Sequence, residues 1–173
     1  MKASVLIPVV VLVGVSIVHP AAAQSTHTGS AGPVEVTPFA SFGSYPSSRV
    51  GAAVTFPLTQ QISVESETGW RLAPSDLTAS VSLLYSLPRI RGTTPYLAAG
   101  VGLAPYRALL SVPTGELISP DQTTVTVNAG GGIKMPVTDN WGIRTDARWF
   151  NGLAEGAEEH WRLYNGVTFR AGR

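Results

Sequence analysis

Hydrophobic and polar residues alternate along most of this chain with a period of two. Between Leu77 and Leu87 every second residue is apolar, and the positions between them hold Thr or Ser except at Leu84. A similar alternation runs through Trp141–Phe150 and Trp161–Gly172, where Asn165 interrupts the apolar face once. Because successive side chains of a β-strand point to opposite sides, this period predicts strands with one apolar and one polar face.

Eight segments of this kind follow one another, most of them near ten residues long. They cover residues 34–44, 49–57, 62–71, 76–88, 94–106, 123–135, 141–151 and 160–171. Compact turns marked by Pro or Gly alternate with connections at 45–48, 72–75, 107–122 and 152–159, of which the last two are long. The pattern predicts an all-β fold in which antiparallel strands run up and down in chain order.

Two stretches of the chain resemble each other at a fixed offset. Gly51–Trp70 aligns without a gap to Gly130–Trp149, an offset of 130 − 51 = 79 residues. The identical pairs are Gly51/Gly130, Pro57/Pro136, Thr59/Thr138 and Trp70/Trp149. Each copy consists of a strand, a turn and a strand, so the repeat predicts two similar halves of one eight-stranded sheet.

The beginning of the chain has the features of an export signal. Lys2 is followed by the apolar run Ala3–Val18, and the small residues Ala21–Ala23 precede Gln24. No later apolar run approaches the ~20 residues that a membrane-spanning helix needs. We expect a cleaved signal peptide at 1–23, a periplasmic leader at 24–33 and a β-barrel at 34–173.

The composition excludes several classes of protein. Hydrophobic residues make up 44% of the 173 residues, and charged residues only 13%, against about 25% charged in ordinary soluble domains. With no Cys there can be no disulfide scaffold and no Cys-ligated zinc site. Twelve basic and 11 acidic residues leave too little net charge to favour nucleic-acid binding.

Alternation alone leaves open whether the apolar faces form a core or face lipid. Aromatic residues at the ends of these faces favour lipid, since Trp141 and Trp149 are eight residues apart, as are Trp161 and Phe169. Eight residues of strand span about 26 Å, or about 20 Å along the normal at a tilt of ~40°. We therefore predict membrane-interface aromatics at Trp70, Tyr85, Trp141, Trp149, Trp161 and Phe169.

The polar faces carry charges of both signs. In an eight-stranded barrel the third and seventh strands lie opposite each other across an interior just wide enough for side chains to fill. Acidic residues of the third segment could therefore reach basic residues of the seventh. The predicted lumen charge network comprises Glu65, Glu67, Arg71, Lys134, Arg144, Asp146, Arg148, Arg162 and Arg170.

Two stretches resemble the small eight-stranded members of the outer-membrane β-barrel domain family of Gram-negative bacteria. Asn128–Phe150 has a Gly-rich strand, a Pro-x-Thr-x-Asn turn and a strand with alternating Arg and Asp, and Thr94–Tyr106 is similar to that family's fifth strand. Gly166 with Phe169 resembles the C-terminal signal read by the barrel-assembly machinery, although Ala171 stands where an aromatic residue is usual. The resemblance implies a transmembrane β-barrel in the outer membrane, exported through a cleaved signal peptide.

Residues that could carry chemistry are sparse. The run from Ala129 to Lys134 is Gly-rich but lacks the spacing of a phosphate-binding loop, so we expect its glycines to make room for bulky lumen residues. His160 lies beside the acidic stretch at 155–159 without an identifiable Ser partner. We predict no catalytic residues, no metal site and no cofactor.

The expected function is therefore a non-enzymatic structural or surface-interaction role in the outer membrane. Three alternatives stay open: a narrow anion-preferring channel, a soluble periplasmic barrel that binds an apolar ligand, and a lipid A-modifying enzyme using His160. The expected partners are outer-membrane lipid and the barrel-assembly machinery during insertion, with no nucleic acid. We expect a monomer whose termini are periplasmic and whose two long loops face outward.

Overall fold

The structure is a computed structural model, and it describes residues 32–43, 48–72, 75–107, 110–111, 117–118, 121–154, 157 and 159–171. The predicted signal peptide and residues 24–31 of the predicted leader lie outside this range. Within it, no helix is long and apolar enough to cross a bilayer.

Ten strands are present among the described residues. They are β1 (Val34–Gly43), β2 (Arg49–Pro57), β3 (Ile62–Leu72), β4 (Ser75–Ser86), β5 (Thr94–Arg107), β6 (Leu110–Ser111), β7 (Leu117–Ile118), β8 (Asp121–Pro136), β9 (Trp141–Gly152) and β10 (His160–Ala171).

Eight of these strands close into one barrel. Around the ring the order is β1-β10-β9-β8-β5-β4-β3-β2, and every neighbouring pair is antiparallel. Closure comes from β1 pairing with β10, from Val34 opposite Ala171 to Gly43 opposite Arg162. Because a closed sheet has no free edge, every strand finds a hydrogen-bonding neighbour on both sides. The predicted eight-stranded up-and-down barrel is confirmed.

The eight predicted segments differ from the barrel strands by two residues or fewer at each end. One feature is absent from the prediction. Within the connection predicted at 107–122, the short strands β6 and β7 pair with each other outside the barrel. The ladder between β5 and β8 also runs on to Arg107 opposite Asp121. Strand pairing therefore extends into what the composition alone suggested was loop.

The two ends of the barrel differ in their connections. At one end, which we call the short-turn end, lie the turns at 58–61, 87–93 and 137–140 together with the first residue of β1, Val34, and the last residue of β10, Ala171. At the other, the long-loop end, lie the connections at 44–48, 73–74, 108–120 and 153–159. The structure describes the residues of these four connections only in part.

The internal repeat appears in the structure as two turns with the same hydrogen bonds. The amides of Leu58 and Thr59 donate to the carbonyl of Ile62, and the Thr59 hydroxyl accepts from the Ile62 amide at 2.9 Å. At the equivalent position in the second copy, Thr138 accepts from the Trp141 amide at 3.2 Å. The identical Pro and Thr of the aligned stretches thus fix two equivalent hairpins, β2–β3 and β8–β9.

Side chains of the barrel are distributed inside out relative to a soluble protein. Large apolar residues on the outer face are exposed, including Val81, Leu97, Val101, Trp161 and Leu163. The buried residues that face inward are mostly polar or charged. Lipid requires this arrangement, whereas water would favour the reverse. The alternative of a soluble barrel with an apolar interior is therefore wrong.

One polar pair on the outer face shares a hydrogen bond. Asn165 of β10 stands directly opposite Thr145 of β9, and the Thr145 hydroxyl donates to the Asn165 side-chain carbonyl at 3.0 Å. The interruption that Asn165 makes in the apolar face of β10 is thus partly offset by a neighbour in register.

A charge placed at the middle of the outer face tests this orientation. Val81 is 51% exposed and lies midway between Leu77 and Tyr85 on β4. We expect Val81→Arg to lower the free energy of unfolding by about 2–4 kcal/mol in lipid vesicles, because the guanidinium would face hydrocarbon. Equilibrium urea denaturation of vesicle-inserted protein measures the change.

The matched control is Leu58→Arg, at a turn of the short-turn end where the side chain is also exposed. Near the interface the same substitution should cost about 0–1 kcal/mol. A similar small loss at Val81, as expected for an exposed position in water, would contradict the lipid-facing assignment.

Candidate functional site

The centre of the barrel is crossed by ion pairs between opposite walls. Glu65 of β3 contacts two arginines of β9: Arg144, through both of its terminal nitrogens, and Arg148, whose Nη2 lies 2.6 Å from Glu65 Oε1. The Thr55 hydroxyl of β2 also donates to Glu65, at 2.9 Å. Glu65 and Arg148 are each 1% exposed. One buried carboxylate therefore joins three strands.

Two further carboxylates complete the pairing of these arginines. Asp146 accepts from Arg144 Nη2 at 2.8 Å, and its Oδ1 lies 3.3 Å from Arg148 Nε. Glu67 lies 3.4 Å from Arg148 Nη1. Three acids thus face two arginines, a formal charge of 2 − 3 = −1 at the barrel centre.

Two tyrosines extend this central network to two further strands, β5 and β10. The Tyr96 hydroxyl of β5 donates to Asp146 and accepts from Arg144 Nε at 2.7 Å. The Tyr164 hydroxyl of β10 donates to Glu67 at 3.1 Å. Each ring also lies beside an arginine, with Arg144 Cζ 4.9 Å from the Tyr96 centroid. The network therefore connects β2, β3, β5, β9 and β10.

Strand geometry directs the side chains of the central network into the lumen, and small residues on neighbouring strands leave space for them. Residues two apart on a strand share a face, so the alternation of β9 directs Arg144, Asp146 and Arg148 inward together. Gly132 of β8 stands opposite Asp146 in the ladder, and a Cβ at Gly132 would lie 2.3 Å from the Asp146 Cβ. The Gly-rich strand thus leaves space for the network, as the sequence predicts.

Little space is left once the network is in place. The cavity at its level has a volume of about 10 Å³ and is lined by residues that include Phe39, Glu65, Arg148 and Tyr164. This is about the volume available to a single water molecule. The barrel centre is therefore filled by side chains.

A second cluster lies toward the long-loop end. Asp76 of β4 contacts Arg71 of β3 and lies 2.5 Å from Arg49 Nη1 of β2. Arg162 of β10 lies nearby, with its Cζ 4.3 Å from the ring centroid of Phe150. We call these four charged residues, Arg49, Arg71, Asp76 and Arg162, the arginine mouth.

A third cluster lies at the short-turn end. Glu35 of β1 lies 2.5 Å from Lys134 Nζ of β8 and 3.6 Å from Arg170 Nε of β10. Arg170 also donates to the backbone carbonyl of Asp139 at 3.3 Å. Two cavities of about 310 and 260 Å³ open beside Arg170 and Asp139. These are recesses at the end of the barrel, outside the filled centre.

The nine residues of the predicted lumen network all face inward but form three groups. Glu65, Glu67, Arg144, Asp146 and Arg148 meet at the centre, Arg71 and Arg162 lie at the arginine mouth, and Lys134 and Arg170 lie at the short-turn end. Sequence reasoning did not include Tyr96, Tyr164, Glu35, Arg49 and Asp76 in the network. All five fall on the polar side of the alternation, which is the signal that could have found them.

The six predicted interface aromatics lie on the outer face near the strand ends. Trp161 stands opposite Trp149 toward the long-loop end, and Phe169 stands opposite Trp141 toward the short-turn end. Trp70 and Tyr85 pair with Leu77 and Ile62 on the β3–β4 ladder, again at opposite ends. The eight-residue spacing therefore places large side chains near both rims.

His160 packs against Phe150 near the long-loop end. Its ring stacks on Phe150 with centroids 5.4 Å apart and planes 10° apart. Among the described residues no group of three or more His, Cys, Asp or Glu side chains is arranged to hold a metal ion.

Comparisons with known proteins identify the fold. No protein-family model matches the chain. No curated protein matches it either. Among solved structures, the N-terminal β-barrel domain of Pseudomonas aeruginosa OprF is 20% identical, with a TM-score of 0.66 over 81% of this chain and 98% of that one.

Two other solved structures show the same likeness. Neisserial surface protein A is 16% identical, with a TM-score of 0.61 over 84% of this chain and all (100%) of that one. A de novo designed transmembrane β-barrel is 14% identical, with a TM-score of 0.59 over 81% of this chain and 96% of that one. The predicted likeness to small eight-stranded outer-membrane barrels is confirmed at the level of the fold.

Removing the carboxylate that joins the two walls should destabilise the barrel. In Glu65→Gln, Arg144 keeps Asp146, and Arg148 keeps Asp146 and Glu67, but both arginines lose the carboxylate of Glu65. We therefore expect a loss of about 3 kcal/mol. Urea denaturation in lipid vesicles measures the free energy of unfolding.

Glu35→Gln is the matched control, since Glu35 contacts two basic residues but lies in the more accessible short-turn cluster. There the loss should be about 1 kcal/mol or less. Equal losses of unfolding free energy in the two variants would contradict the prediction that Glu65 stabilises the barrel more than an ion-paired carboxylate near its end.

Proposed function

We propose that this protein is an outer-membrane β-barrel with a non-enzymatic structural or surface-interaction role, delivered by a cleaved N-terminal signal peptide. The observation that carries the proposal is the filled lumen inside an apolar outer face. An apolar face suits lipid, and a centre with about 10 Å³ of free space offers neither a substrate cavity nor a pore.

The central network supports a stabilising role for the lumen. Every charged group of the network contacts a partner of opposite charge on the facing wall or on its own strand. An ion crossing the barrel would have to separate Glu65 from Arg144 and Arg148. Breaking buried pairs of this kind is expensive, so the closed form is favoured.

An anion-preferring channel is the second candidate, and the charge count of the lumen favours it. The inward-facing described residues include seven bases and five acids, a formal excess of 7 − 5 = +2. The excess lies at the two ends, with 3 − 1 = +2 at the arginine mouth and 2 − 1 = +1 in the short-turn cluster, against −1 at the centre. A channel of this type would require the central network to rearrange.

The contacts made by the polar side chains of the lumen support a non-enzymatic role. The carboxylates of the lumen are engaged by arginine or lysine, and the His160 ring is stacked on Phe150. General acid or base catalysis needs a group within reach of a substrate atom, and ion-paired groups in a filled barrel lack that access. The fold by itself carries no activity.

The same reasoning gives the proposed partners. The exposed outer face fits membrane lipid, and a closed strand topology fits insertion by the barrel-assembly machinery. With the first residue of β1 and the last residue of β10 at the short-turn end, we place that end in the periplasm and the long-loop end outside the cell. A rigid barrel then presents its long loops for contact with the surroundings, and no second subunit is required for closure.

A conductance measurement distinguishes the proposed closed barrel from the anion-preferring channel. Purified full-length protein inserted in planar bilayers should leave the membrane non-conducting, because the central network fills the lumen. Heat-modifiable migration on gels, with faster migration before boiling, verifies that the same sample is a folded barrel.

A large porin inserted under identical conditions is the control for the bilayer assay. Resolved, anion-selective current steps from the folded protein would overturn the closed-lumen proposal in favour of the channel. Recovery of the native protein in the soluble periplasmic fraction, rather than with outer membranes, would overturn the proposed location.

A further inference from the structure

We propose that two copies of this chain associate side by side in the membrane, through the outer face that β9, β10 and β1 form around Asn165. We call this surface the seam face, and its middle consists of Pro38, Ala40, Thr145, Ala147, Asn165 and Val167. The inference rests on the proposed membrane location, because it requires this face to lie in lipid. It goes beyond that proposal, since the sequence leads us to expect a monomer and closure of the barrel needs no second subunit.

Asn165 lies at the middle of its strand, far from both rims of the barrel. The interface aromatics of β10, Trp161 and Phe169, are each four residues away, which is about 13 Å along the strand. The Asn165 side chain is exposed on the outer face. A side-chain amide at this depth faces hydrocarbon, which offers it no hydrogen-bond partner.

Only half of this amide is satisfied within the barrel. Its carbonyl oxygen accepts a hydrogen bond from the Thr145 hydroxyl at 3.0 Å. Its nitrogen, Nδ2, carries two N–H donors and makes no hydrogen bond to any residue that the structure describes. Donors that face hydrocarbon without an acceptor are unfavourable, so a partner that supplies an acceptor at this point would be held there.

The backbone beside Asn165 has a second unfilled position. The β1–β2 ladder runs through Pro38 without a gap, whereas the β1–β10 ladder omits Thr37 and Pro38. Proline has no amide hydrogen, and counting from the neighbouring pairs places Val167 opposite Pro38. The Val167 carbonyl therefore lacks its ladder donor from β1. A donor and an acceptor that are both unfilled thus lie two residues apart on β10.

The group that fits this position is another carboxamide. It carries both donors and an acceptor, so two copies of Asn165 can exchange N–H···O hydrogen bonds across a two-fold axis. The Asn165 oxygen can accept a second bond besides that from Thr145, because a carbonyl oxygen has two lone pairs. Polar side chains that hydrogen-bond across the contact hold membrane-spanning segments together in this way.

The rest of the seam face also suits a second copy of itself. A two-fold contact sets each residue near its own counterpart, so a charge close to the axis would meet its like. The described outward residues of β1, β9 and β10 include no charged side chain. Ala40 stands opposite Asn165, and Ala147 lies one diagonal away on β9. Small residues at these positions let two barrels approach closely.

Sedimentation equilibrium of the protein in density-matched detergent micelles tests the inference on the unmodified chain. A mass of two chains is expected at a high protein-to-detergent ratio, and it should fall to one chain as detergent is added. A mass of one chain at every ratio would overturn the inference, and this is also the result if Asn165 serves a lipid or a different membrane protein. Heat-modifiable gel migration of the same sample shows whether the barrel is folded. A folded barrel that stays monomeric therefore counts against the dimer alone, and not against the proposed function.

Matched variants locate the contact. Asn165→Val removes the carboxamide and should weaken association about tenfold or more, through loss of the reciprocal hydrogen bonds. Ser66→Val also removes an exposed polar group midway along the outer face of its strand, β3, which lies three strands away around the ring. This control should change association by less than about twofold. Equal effects of the two variants, or unchanged association in Asn165→Val, would overturn the assignment to the seam face. If Asn165→Val does not fold, the mass of the unmodified chain still decides.

Spin labels show which faces of the two barrels meet. The chain has no Cys, so a single introduced Cys carries one nitroxide per copy. Leu163 is exposed two residues from Asn165 on the seam face, and Leu83 is exposed on β4, on the opposite wall of the barrel. In lipid vesicles, double electron–electron resonance should give a short distance between copies for Leu163→Cys and a much longer one for Leu83→Cys. A distance at Leu163 that equals or exceeds the distance at Leu83 would overturn the proposed face.

Discussion

The contact of Glu65 with Arg144 and Arg148 is the interaction on which the interior of this barrel depends. Closing eight strands satisfies the backbone, but it also encloses whatever the inner faces carry. In this chain those faces carry arginines, and an unpaired arginine in a narrow lumen would be strongly unfavourable. Glu65 resolves that problem for two arginines at once and joins opposite walls of the sheet. The filled centre of the barrel follows from this pairing.

The outer face of the barrel must be largely apolar, whereas the inner face can hold charges that pair with each other. Lipid cannot satisfy a charged side chain, so the outward positions hold mostly apolar residues. The uncharged Ser66 and Thr68 of β3 are exceptions, and Asn165 bonds to Thr145 in the neighbouring strand. The low charge content of the chain is a consequence of this geometry, because roughly half of every strand must be uncharged. Charges are confined to the lumen and the ends of the barrel, where they are close enough to pair.

The strands, and the face of the sheet on which each side chain lies, were predictable from the sequence because both depend on local alternation. The segment predicted at 141–151 forms Trp141–Gly152, and its Arg and Asp face inward as the period requires. Pairing between the third and seventh segments was also predictable, because it depends on their opposite places in an eight-stranded barrel. The pairing of the remaining charges was not, because it depends on register. Arg71 shares a face with Glu65, yet the β3–β4 ladder sets it opposite Asp76, and it pairs there. Glu35 and Asp76 lie near strand ends, where alternation over a few residues gives a weak signal.

The internal repeat explains why opposite charges meet at the centre. With an offset of 79 residues, the position equivalent to Glu65 is Arg144. The position equivalent to Glu67 is another acid, Asp146, and Arg148 lies between these two carboxylates and contacts both. Since β3 and β9 lie four strands apart in a ring of eight, equivalent positions face each other across the lumen. Identical residues at 65 and 144 would set like charges face to face in a filled space. The two copies differ there in sign, and that difference converts a symmetric repeat into an ion pair. Gly69 and Arg148 are also equivalent positions. Here a small residue in one copy faces a large residue in the other, as expected in a lumen too narrow for two large side chains at the same level.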